Sequence, residues 1–280
     1  MWAGRAPGAM GDDPCRDVPY LQIFHAGGAS HEPRPALLII PGGGYDRLTN
    51  GKEQRPVAEY FASELPITTV VLRYRLVQDD GGYRYPIPMW DGQRAIRLLH
   101  TQARRLGIDP ARIAVLGFSA GAHLASTLAL HPEESFGATA TDEVDRASAK
   151  VDLLALGYPV ISMNPAAVPP SGSYKHLLAG FAGRELTELQ HRLSGEENVT
   201  PALPPVFLFE SMDDKRISPQ NAVLFADALK NAHVPAEVHL FARGEHGSGL
   251  SVGIPEEAAW PAMFTTWMMA QWPELGHKRR

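Results

Sequence analysis

Short apolar runs alternate along the chain with longer segments in which apolar residues recur at helical spacing. The apolar runs predict strands at 20–24, 36–40, 68–73, 113–116, 151–156, 205–210 and 236–241. The helical spacing predicts helices near 53–65, 90–106, 122–130, 217–232 and 256–271. Because strands and helices alternate almost throughout, the pattern favours an α/β fold whose mainly parallel sheet carries helices on both faces.

Three stretches fall outside this alternation. Residues 1–18 are polar and rich in Gly and Pro, which predicts a flexible N-terminal tail before a single domain over 19–280. Residues 76–88 carry Gly81-Gly82 and two prolines and are predicted to form a loop. Residues 160–204 are rich in Pro, Ser and Gly, with short helical patches near 174–180 and 184–193. We interpret 160–204 as a small lid or insertion over a site.

The strand predicted at 113–116 runs directly into Gly117-Phe118-Ser119-Ala120-Gly121, which fits the pattern G-x-S-x-G. A helix rich in Ala and Leu follows at once. A strand, a sharp turn and a helix are the context in which this pattern marks a nucleophilic serine. The turn strains the backbone of Ser119, so the residues two places away must be small, as Gly117 and Gly121 are. The alternative is a plain tight turn.

A serine nucleophile needs a base, usually a histidine that a carboxylate orients. Among eleven histidines, His246 lies in Gly244-Glu245-His246-Gly247, just after the strand at 236–241. Reactive groups in an open α/β sheet lie at the carboxyl ends of the strands, so His246 is the predicted base. His123 lies one helical turn after Ser119, where a hydrogen-bonded role in the core is the better interpretation.

The orienting carboxylate is expected in the loop after the preceding strand. That loop begins Glu210-Ser211-Met212 and continues with Asp213 and Asp214. Either aspartate can orient the imidazole and stabilise its charged form. The alternative for either one is a helix cap or a turn. The order Ser, Asp, His along the chain, each residue following a strand, is the order found in α/β-hydrolases.

The oxyanion of an acyl-transfer reaction needs backbone N–H donors. One candidate is the amide of Ala120, the residue after the nucleophile. Others come from Gly42-Gly43-Gly44, which follow the strand at 36–40 and allow a close approach of the backbone to a substrate. The alternatives are a flexible turn and a phosphate cradle, although no Gly-Lys-Ser/Thr follows.

Taken together, these motifs resemble the α/β-hydrolase-fold acetyl esterases of the acetylxylan-esterase-like or xylanase-like kind. The resemblance covers residues 19–272. It is carried by the following segments: Pro41-Gly42-Gly43-Gly44-Tyr45, Tyr85-Pro86 with Asp91 and Arg94-Ala95, Gly107-Ile108-Asp109-Pro110, Gly117-Phe118-Ser119-Ala120-Gly121, Gly157-Tyr158-Pro159-Val160-Ile161, Asp213-Asp214 and His246-Gly247. Ala122 and Glu210-Ser211-Met212 depart from the family pattern.

The resemblance implies a serine hydrolase that removes short acyl groups, often acetyl from sugars or xylan fragments, without a cofactor. It implies a site of six residues: Ser119 as nucleophile, Asp213 as acid, His246 as base, and Gly43, Gly44 and Ala120 as oxyanion donors. We further predict that Tyr45, Trp90 and Tyr158 line the substrate pocket, where their aromatic faces could stack on a sugar. Ordinary core packing is the alternative for these three aromatic residues.

Composition narrows the remaining classes of function. The chain has 280 residues, 44% of them hydrophobic, which suits one large globular domain. Its net charge is −5 and its only basic run is Lys278-Arg279-Arg280, so nucleic acid is not an expected partner. Cys15 is the single cysteine, which excludes an internal disulfide and cysteine-based metal sites. We predict no metal site.

The sequence also bears on the location, the partners and the rival functions of the protein. Without a signal-like segment or a long apolar stretch, we expect a cytoplasmic protein that does not associate with membranes. A small-molecule or oligosaccharide ester is the expected partner. The rival functions are an amide or peptide hydrolase with the same triad and a non-catalytic binding protein on this fold.

Overall fold

A mixed β-sheet forms the centre of the computed structural model, which describes residues 1–27, 32–49 and 51–276. The basic run at 278–280 lies outside these ranges. The strands of the described residues are β1 Tyr20–His25, β2 Arg34–Ile40, β3 Thr68–Arg73, β4 Ile108–Phe118, β5 Leu153–Gly157, β6 Val206–Ser211 and β7 Ala236–Phe241. The α-helices are α1 Arg55–Glu64, α2 Ile87–Thr101, α3 Ala103–Leu106, α4 Ala120–Leu130, α5 Gly172–Leu177, α6 Gly183–Leu193, α7 Gln220–Asn231 and α8 Trp260–Gln271.

The strand order across the sheet is β1-β3-β2-β4-β5-β6-β7. Only β1 pairs antiparallel, against β3, and the other described pairs are parallel. The prediction of a mainly parallel sheet is therefore confirmed. In such a sheet the carboxyl ends of β4, β6 and β7 meet at one edge, which brings together the loops that carry the predicted site residues.

The central strands β2, β5 and β6 are buried on both faces, as their continuous apolar sequences predict. Alternate residues of β2 face opposite sides: Leu38 and Ile40 join the core beneath α2, α4 and α7, whereas Leu37 and Ile39 join the core beneath α1 and α8. This alternation follows from the two-residue period of a strand. Two hydrophobic layers therefore hold the helices against the sheet.

Several helices and strands begin or end at residues other than those predicted from the sequence. Helix α2 begins at Ile87, inside the stretch predicted as a loop over 76–88, because Pro88 occupies its first turn, where a proline costs no hydrogen bond. The helix predicted over 90–106 is interrupted at Gln102, which ends α2 and precedes α3. Strand β4 starts earlier than predicted, since Ile108 pairs with Arg34 of β2.

The N-terminal residues 1–18 lie against the domain, which corrects the prediction of a flexible tail. The Arg75 guanidinium donates a 2.7 Å hydrogen bond to the carbonyl oxygen of Pro7, and Arg94 donates at 3.1 Å to that of Met1. The Trp2 ring lies 5.8 Å from the Arg75 guanidinium and 5.2 Å from that of Arg94. These contacts are made by backbone carbonyls and one aromatic ring. They could therefore not be inferred from the polar composition of the segment.

The segment 160–204 packs on the domain through its two helices. Leu177 of α5 and Leu189 of α6 join the same hydrophobic core as α4. The helical patches predicted near 174–180 and 184–193 correspond to α5 and α6, with shifts of a few residues at their ends. Whether the segment acts as a lid stays a prediction. Within the described ranges, none of the helices has the length and apolar character needed to cross a membrane.

Candidate active site

Ser119 occupies the sharp turn between β4 and α4. Its backbone angles are φ 52° and ψ −119°, a left-handed conformation that is strained for a side chain. A Cβ atom on Gly117 would lie 2.4 Å from the carbonyl oxygen of Gly121, and one on Gly121 would lie 2.1 Å from that of Ile40. Both glycines are therefore required by close backbone contacts. The turn presents the serine at the carboxyl end of β4, as the motif predicts.

A chain of two hydrogen bonds links three side chains at this edge of the sheet. Ser119 Oγ lies 2.8 Å from His246 Nε2, and His246 Nδ1 lies 2.7 Å from Asp214 Oδ2. Since an ionised carboxylate only accepts, Nδ1 carries the proton and Nε2 is left to accept from the serine hydroxyl. The structure thus brings Ser119 and His246 together, and this arrangement suits proton removal from the serine.

The carboxylate beside His246 belongs to Asp214, which corrects the prediction of Asp213. After β6 the chain turns back, and the amide of Asp214 donates a 3.0 Å hydrogen bond to the carbonyl of Ser211. This turn buries the Asp214 side chain, which is only 1% exposed. Asp213 instead accepts a 2.9 Å hydrogen bond from the amide of Gly244. Asp213 therefore holds the loop that carries the histidine.

The buried carboxylate of Asp214 accepts hydrogen bonds from several protein groups. Its Oδ1 atom accepts hydrogen bonds from the amides of Arg216 at 2.7 Å and Ile217 at 3.0 Å. Burial alone would raise the pKa of Asp214, but the hydrogen bond and charge of His246 and these two amides outweigh it and lower the pKa below its usual value. An ionised Asp214 can stabilise a positively charged imidazolium on His246.

The glycine loop after β2 lies beside Ser119. Gly43 and Gly44 have φ values of +125° and +68°, and a Cβ on Gly43 would lie 2.3 Å from the carbonyl oxygen of Arg47. Both glycines line a cavity of about 520 Å³ together with Ser119 and His246. The amide of Gly42 already donates to Glu53. Gly43, Gly44 and Ala120, the first residue of α4, are thus left as candidate oxyanion donors.

Glu53, which belongs to none of the sequence motifs, is a buried carboxylate in the lining of this cavity. It has no exposed surface, and its Oε2 atom accepts from Gly42 N at 2.7 Å. Its Oε1 atom accepts from the Tyr158 hydroxyl at 2.9 Å, and Tyr158 Oη accepts from the amide of Gly249 at 3.0 Å. Burial raises the pKa of Glu53 although these hydrogen bonds oppose the effect. Glu53 therefore connects the glycine loop with the loop that follows His246.

The three aromatic residues predicted to line the pocket lie in other surroundings, so that prediction is wrong. Tyr45 has no exposed surface, and Tyr158 is 1% exposed with its ring 5.1 Å from that of His246. Trp90 is half-buried on α2 and donates to the carbonyl oxygen of Phe136. All three fill gaps in the core or support loops. The alternative of ordinary core packing therefore describes these three residues.

His123 lies in the core, as its place on α4 predicts. Its Nε2 atom donates to the carbonyl oxygen of Leu193 at 2.9 Å, so its Nδ1 atom accepts from the Tyr45 hydroxyl at 2.7 Å. Burial lowers the pKa of His123 to about 4, which keeps the ring neutral. This pair of hydrogen bonds ties the glycine loop and the end of α6 to α4.

Polar and apolar side chains both line the active-site cavity, the 520 Å³ cavity beside Ser119. Its side chains include Thr49, Lys52, Ser173 and Arg216, with Leu48 and Ile217 as apolar members. Within residues 1–27, 32–49 and 51–276, no group of three or more His, Cys, Asp or Glu side chains could hold a metal ion. The site can supply a nucleophile, a base and backbone donors from its own residues.

The sheet order and the Ser119–His246–Asp214 hydrogen bonds define this chain as an α/β-hydrolase. Residues 21–229 match the BD-FAE family model. The chain belongs to this family of α/β-hydrolase-fold esterases.

Two curated relatives match most of this chain. The chain is 29% identical over 221 residues to endo-1,4-beta-xylanase B of Butyrivibrio fibrisolvens, with 76% of this chain and 32% of that protein covered. It is 28% identical over 220 residues to an acetylxylan esterase of Xylanibacter ruminicola, with 76% of this chain and 41% of that protein covered. The chain thus spans about a third to two fifths of the length of these two relatives.

A solved structure aligns with nearly the whole chain. It is the acetyl ester-xyloside bifunctional hydrolase from Caldicellulosiruptor lactoaceticus, at 34% sequence identity and a TM-score of 0.84. The alignment covers 96% of this chain and 94% of that one. The family and the fold therefore agree with the resemblance that the sequence motifs carry.

Proposed function

We propose that this chain is a serine carboxylic-ester hydrolase that removes short acyl groups, acetyl above all, from carbohydrate-type alcohols. The observation that carries the proposal is the hydrogen-bonded series Ser119 Oγ, His246 Nε2, His246 Nδ1 and Asp214 Oδ2, with distances of 2.8 and 2.7 Å. This series opens into a cavity that the glycine loop also lines. A nucleophile, a base, an orienting acid and amide donors are the parts that acyl transfer needs.

In the proposed first half-reaction, His246 Nε2 takes the hydroxyl proton of Ser119 while Oγ attacks the acyl carbon. The amides of Gly43, Gly44 and Ala120 stabilise the oxyanion, and Asp214 stabilises the imidazolium. His246 then returns the proton to the leaving alcohol. The carbon–oxygen bond to the alcohol breaks, and an acyl ester on Ser119 remains.

In the second half-reaction, water takes the place of the alcohol. His246 removes a proton from the water, whose oxygen attacks the acyl-serine carbon. When the tetrahedral intermediate collapses, the bond to Ser119 Oγ breaks and His246 returns the proton to the serine. The products are the carboxylic acid and free Ser119, so atoms and protons balance.

Two observations support a short acyl group on a sugar-like alcohol. Thr49, Ser173 and Arg216 place hydrogen-bonding groups in the cavity lining, which suits the hydroxyl groups of a sugar. Among the similar proteins are an acetylxylan esterase and an acetyl ester-xyloside hydrolase. The substrate proposal extends the chemistry of these similar proteins to this chain.

A substrate panel tests this proposal. It contains p-nitrophenyl esters from acetate to octanoate, acetylated xylo-oligosaccharides and aminoacyl anilides. We expect kcat/KM for the acetate ester to exceed that for the octanoate ester by at least about tenfold, or ~1.4 kcal/mol of transition-state stabilisation. A preference for octanoate would contradict the short-acyl assignment. Faster cleavage of the anilides would identify an amide hydrolase instead.

A further inference from the structure

A second cavity of about 370 Å³ lies next to the active-site cavity. Arg216 and Ile217 line both cavities, and the second one extends between the segment 168–171 and the start of α7. We call the two cavities together the groove. A substrate whose ester lies at Ser119 would therefore have Arg216 within the lining around its alcohol portion.

Cationic side chains are concentrated along the groove. Its lining contains Arg47, Lys52, Lys215 and Arg216, and all four residues are exposed. Arg47 pairs with Asp46, at 3.1 Å between Nη1 and Oδ2. In the part of the chain that the structure describes, the other three cations have no ion pair with a carboxylate.

The carboxylates in the groove lining do not offset these charges at the surface. Glu53 has no exposed surface, and its oxygens accept from Gly42 and Tyr158. Asp214 is buried, and its oxygens accept from His246 and two backbone amides. The groove therefore presents positive charge to solvent, although the whole chain carries a net charge of −5.

Charges of one sign along a cleft concentrate the field within it and attract ligands of the opposite sign. Arg216 is the central cation because it lies where the two cavities meet, and a guanidinium can bind a carboxylate through two parallel hydrogen bonds. Lys52 lies in the lining of the active-site cavity and Lys215 in that of the second cavity. An anionic group on the alcohol side of the substrate would meet a cation in either cavity.

We propose that the groove selects esters whose alcohol portion carries a carboxylate, as in an acetylated sugar that contains a uronic acid. Arg216 binds the carboxylate, while Lys52 and Lys215 add to the attraction. The reaction itself rests on the proposed function, and the groove adds the class of alcohol. The same positive groove disfavours cationic alcohols.

A matched pair of substrates tests the charge preference. The pair is methyl glucuronoside and methyl glucoside, each acetylated at the same hydroxyl. The two differ in one group, which is a carboxylate in the glucuronoside and a hydroxymethyl in the glucoside. At 20 mM salt we expect kcat/KM to favour the glucuronoside by at least about fivefold, and at 0.5 M salt we expect the preference to fall toward parity because exposed charges are screened.

Three variants locate the preference in the groove. Arg216→Gln and Lys52→Gln should each reduce the ratio of the two kcat/KM values by about threefold or more. Lys230→Gln removes an exposed cation from α7 outside the groove lining and should leave the ratio unchanged. Equal rates for the two substrates at low salt, or an equal effect of all three variants, would overturn the inference.

Binding without turnover separates this inference from the proposed function. Ser119→Ala is titrated with unacetylated methyl glucuronoside and methyl glucoside, and amide chemical shifts report the two dissociation constants. Tighter binding of the glucuronoside would support the groove even if neither ester were hydrolysed, a result that would contradict only the proposed function. Equal affinities would overturn the groove assignment even if both esters were hydrolysed.

Discussion

Asp213 and Asp214 differ in role because the turn after β6 points their side chains in different directions. The amide of Asp214 closes this turn on Ser211, and its carboxylate lies 2.7 Å from His246 Nδ1. The Asp213 carboxylate binds the amide of Gly244. The sequence predicts a carboxylate in this loop, whereas the choice between neighbours depends on the geometry of a four-residue turn.

Substitution of the two aspartates by asparagine tests this assignment. In Asp214→Asn the amide group favours the wrong imidazole tautomer, and we expect kcat to fall by about 10²–10⁴ with little change in Tm. In the matched control Asp213→Asn we expect kcat to stay within about tenfold, because the asparagine oxygen can still accept from Gly244. Steady-state kinetics of both purified variants measure the difference, and the reverse pattern would return the acid to Asp213.

Residues of the candidate site were predictable where local sequence decides their position. Ser119 follows a strand within a motif that only glycines permit, and His246 follows a strand within a glycine-flanked loop. Tyr45 and Tyr158 were misplaced because their burial depends on packing between distant elements. Glu53 was missed for the same reason, since its partner Tyr158 is 105 positions away in the sequence.

At the scale of elements, Glu53 joins two loops that the site needs. One of its oxygens holds the amide of Gly42 in the glycine loop, and the other holds the Tyr158 hydroxyl. Tyr158 in turn accepts from Gly249, three residues after His246. A displacement of either loop would move the candidate oxyanion donors or His246 relative to Ser119.

The variant Glu53→Gln tests this connection. Glutamine has one acceptor oxygen where Glu53 uses two, so it cannot accept from both the Gly42 amide and the Tyr158 hydroxyl as Glu53 does. We expect kcat/KM to fall by about tenfold to a hundredfold, the loss that a small misplacement of reacting groups causes. The control Glu59→Gln removes an exposed carboxylate from α1 and should keep full activity. Full activity in Glu53→Gln would contradict the connection.

For the molecule as a whole, the alternation of strands and helices was enough to predict the sheet and its two covered faces. The antiparallel pairing of β1 and the docking of residues 1–18 were not predicted. Both depend on contacts between segments far apart in sequence, such as those of Arg75 with Pro7. Periodicity describes one segment at a time, so it carries no information on such partners.

Global stability should depend on pH through Glu210, which has no exposed surface. Its Oε1 atom accepts from the amide of Ser211, and its Oε2 atom has no hydrogen-bond partner among the described residues. Burial raises the pKa of Glu210 from 4.5 to about 9, and the charges of Asp214 and Glu257 add to the effect. Between these pH values the unfolded chain binds fewer protons at Glu210 than the folded one, so the free energy of unfolding decreases as pH rises.

Glu210→Gln removes this titration. We expect the Tm of the variant minus the Tm of the wild type to be higher at pH 8 than at pH 5. The increase should be about 2–4 °C for each 1 kcal/mol of unfavourable free energy that the substitution removes. Thermal unfolding of both proteins followed by circular dichroism at the two pH values measures this difference. A Tm difference that is the same at pH 5 and pH 8 would show that folding does not raise the pKa of Glu210.

The central claim is that Ser119 forms an acyl ester, and labelling with a fluorophosphonate probe tests it most directly. We expect the wild type to carry one probe molecule on Ser119, located by mass spectrometry of its peptides. Ser119→Ala should take up no probe, keep the wild-type Tm and lose about 10³–10⁶ in kcat for p-nitrophenyl acetate. Labelling of a different serine, or a Ser119→Ala variant as active as the wild type, would contradict the account.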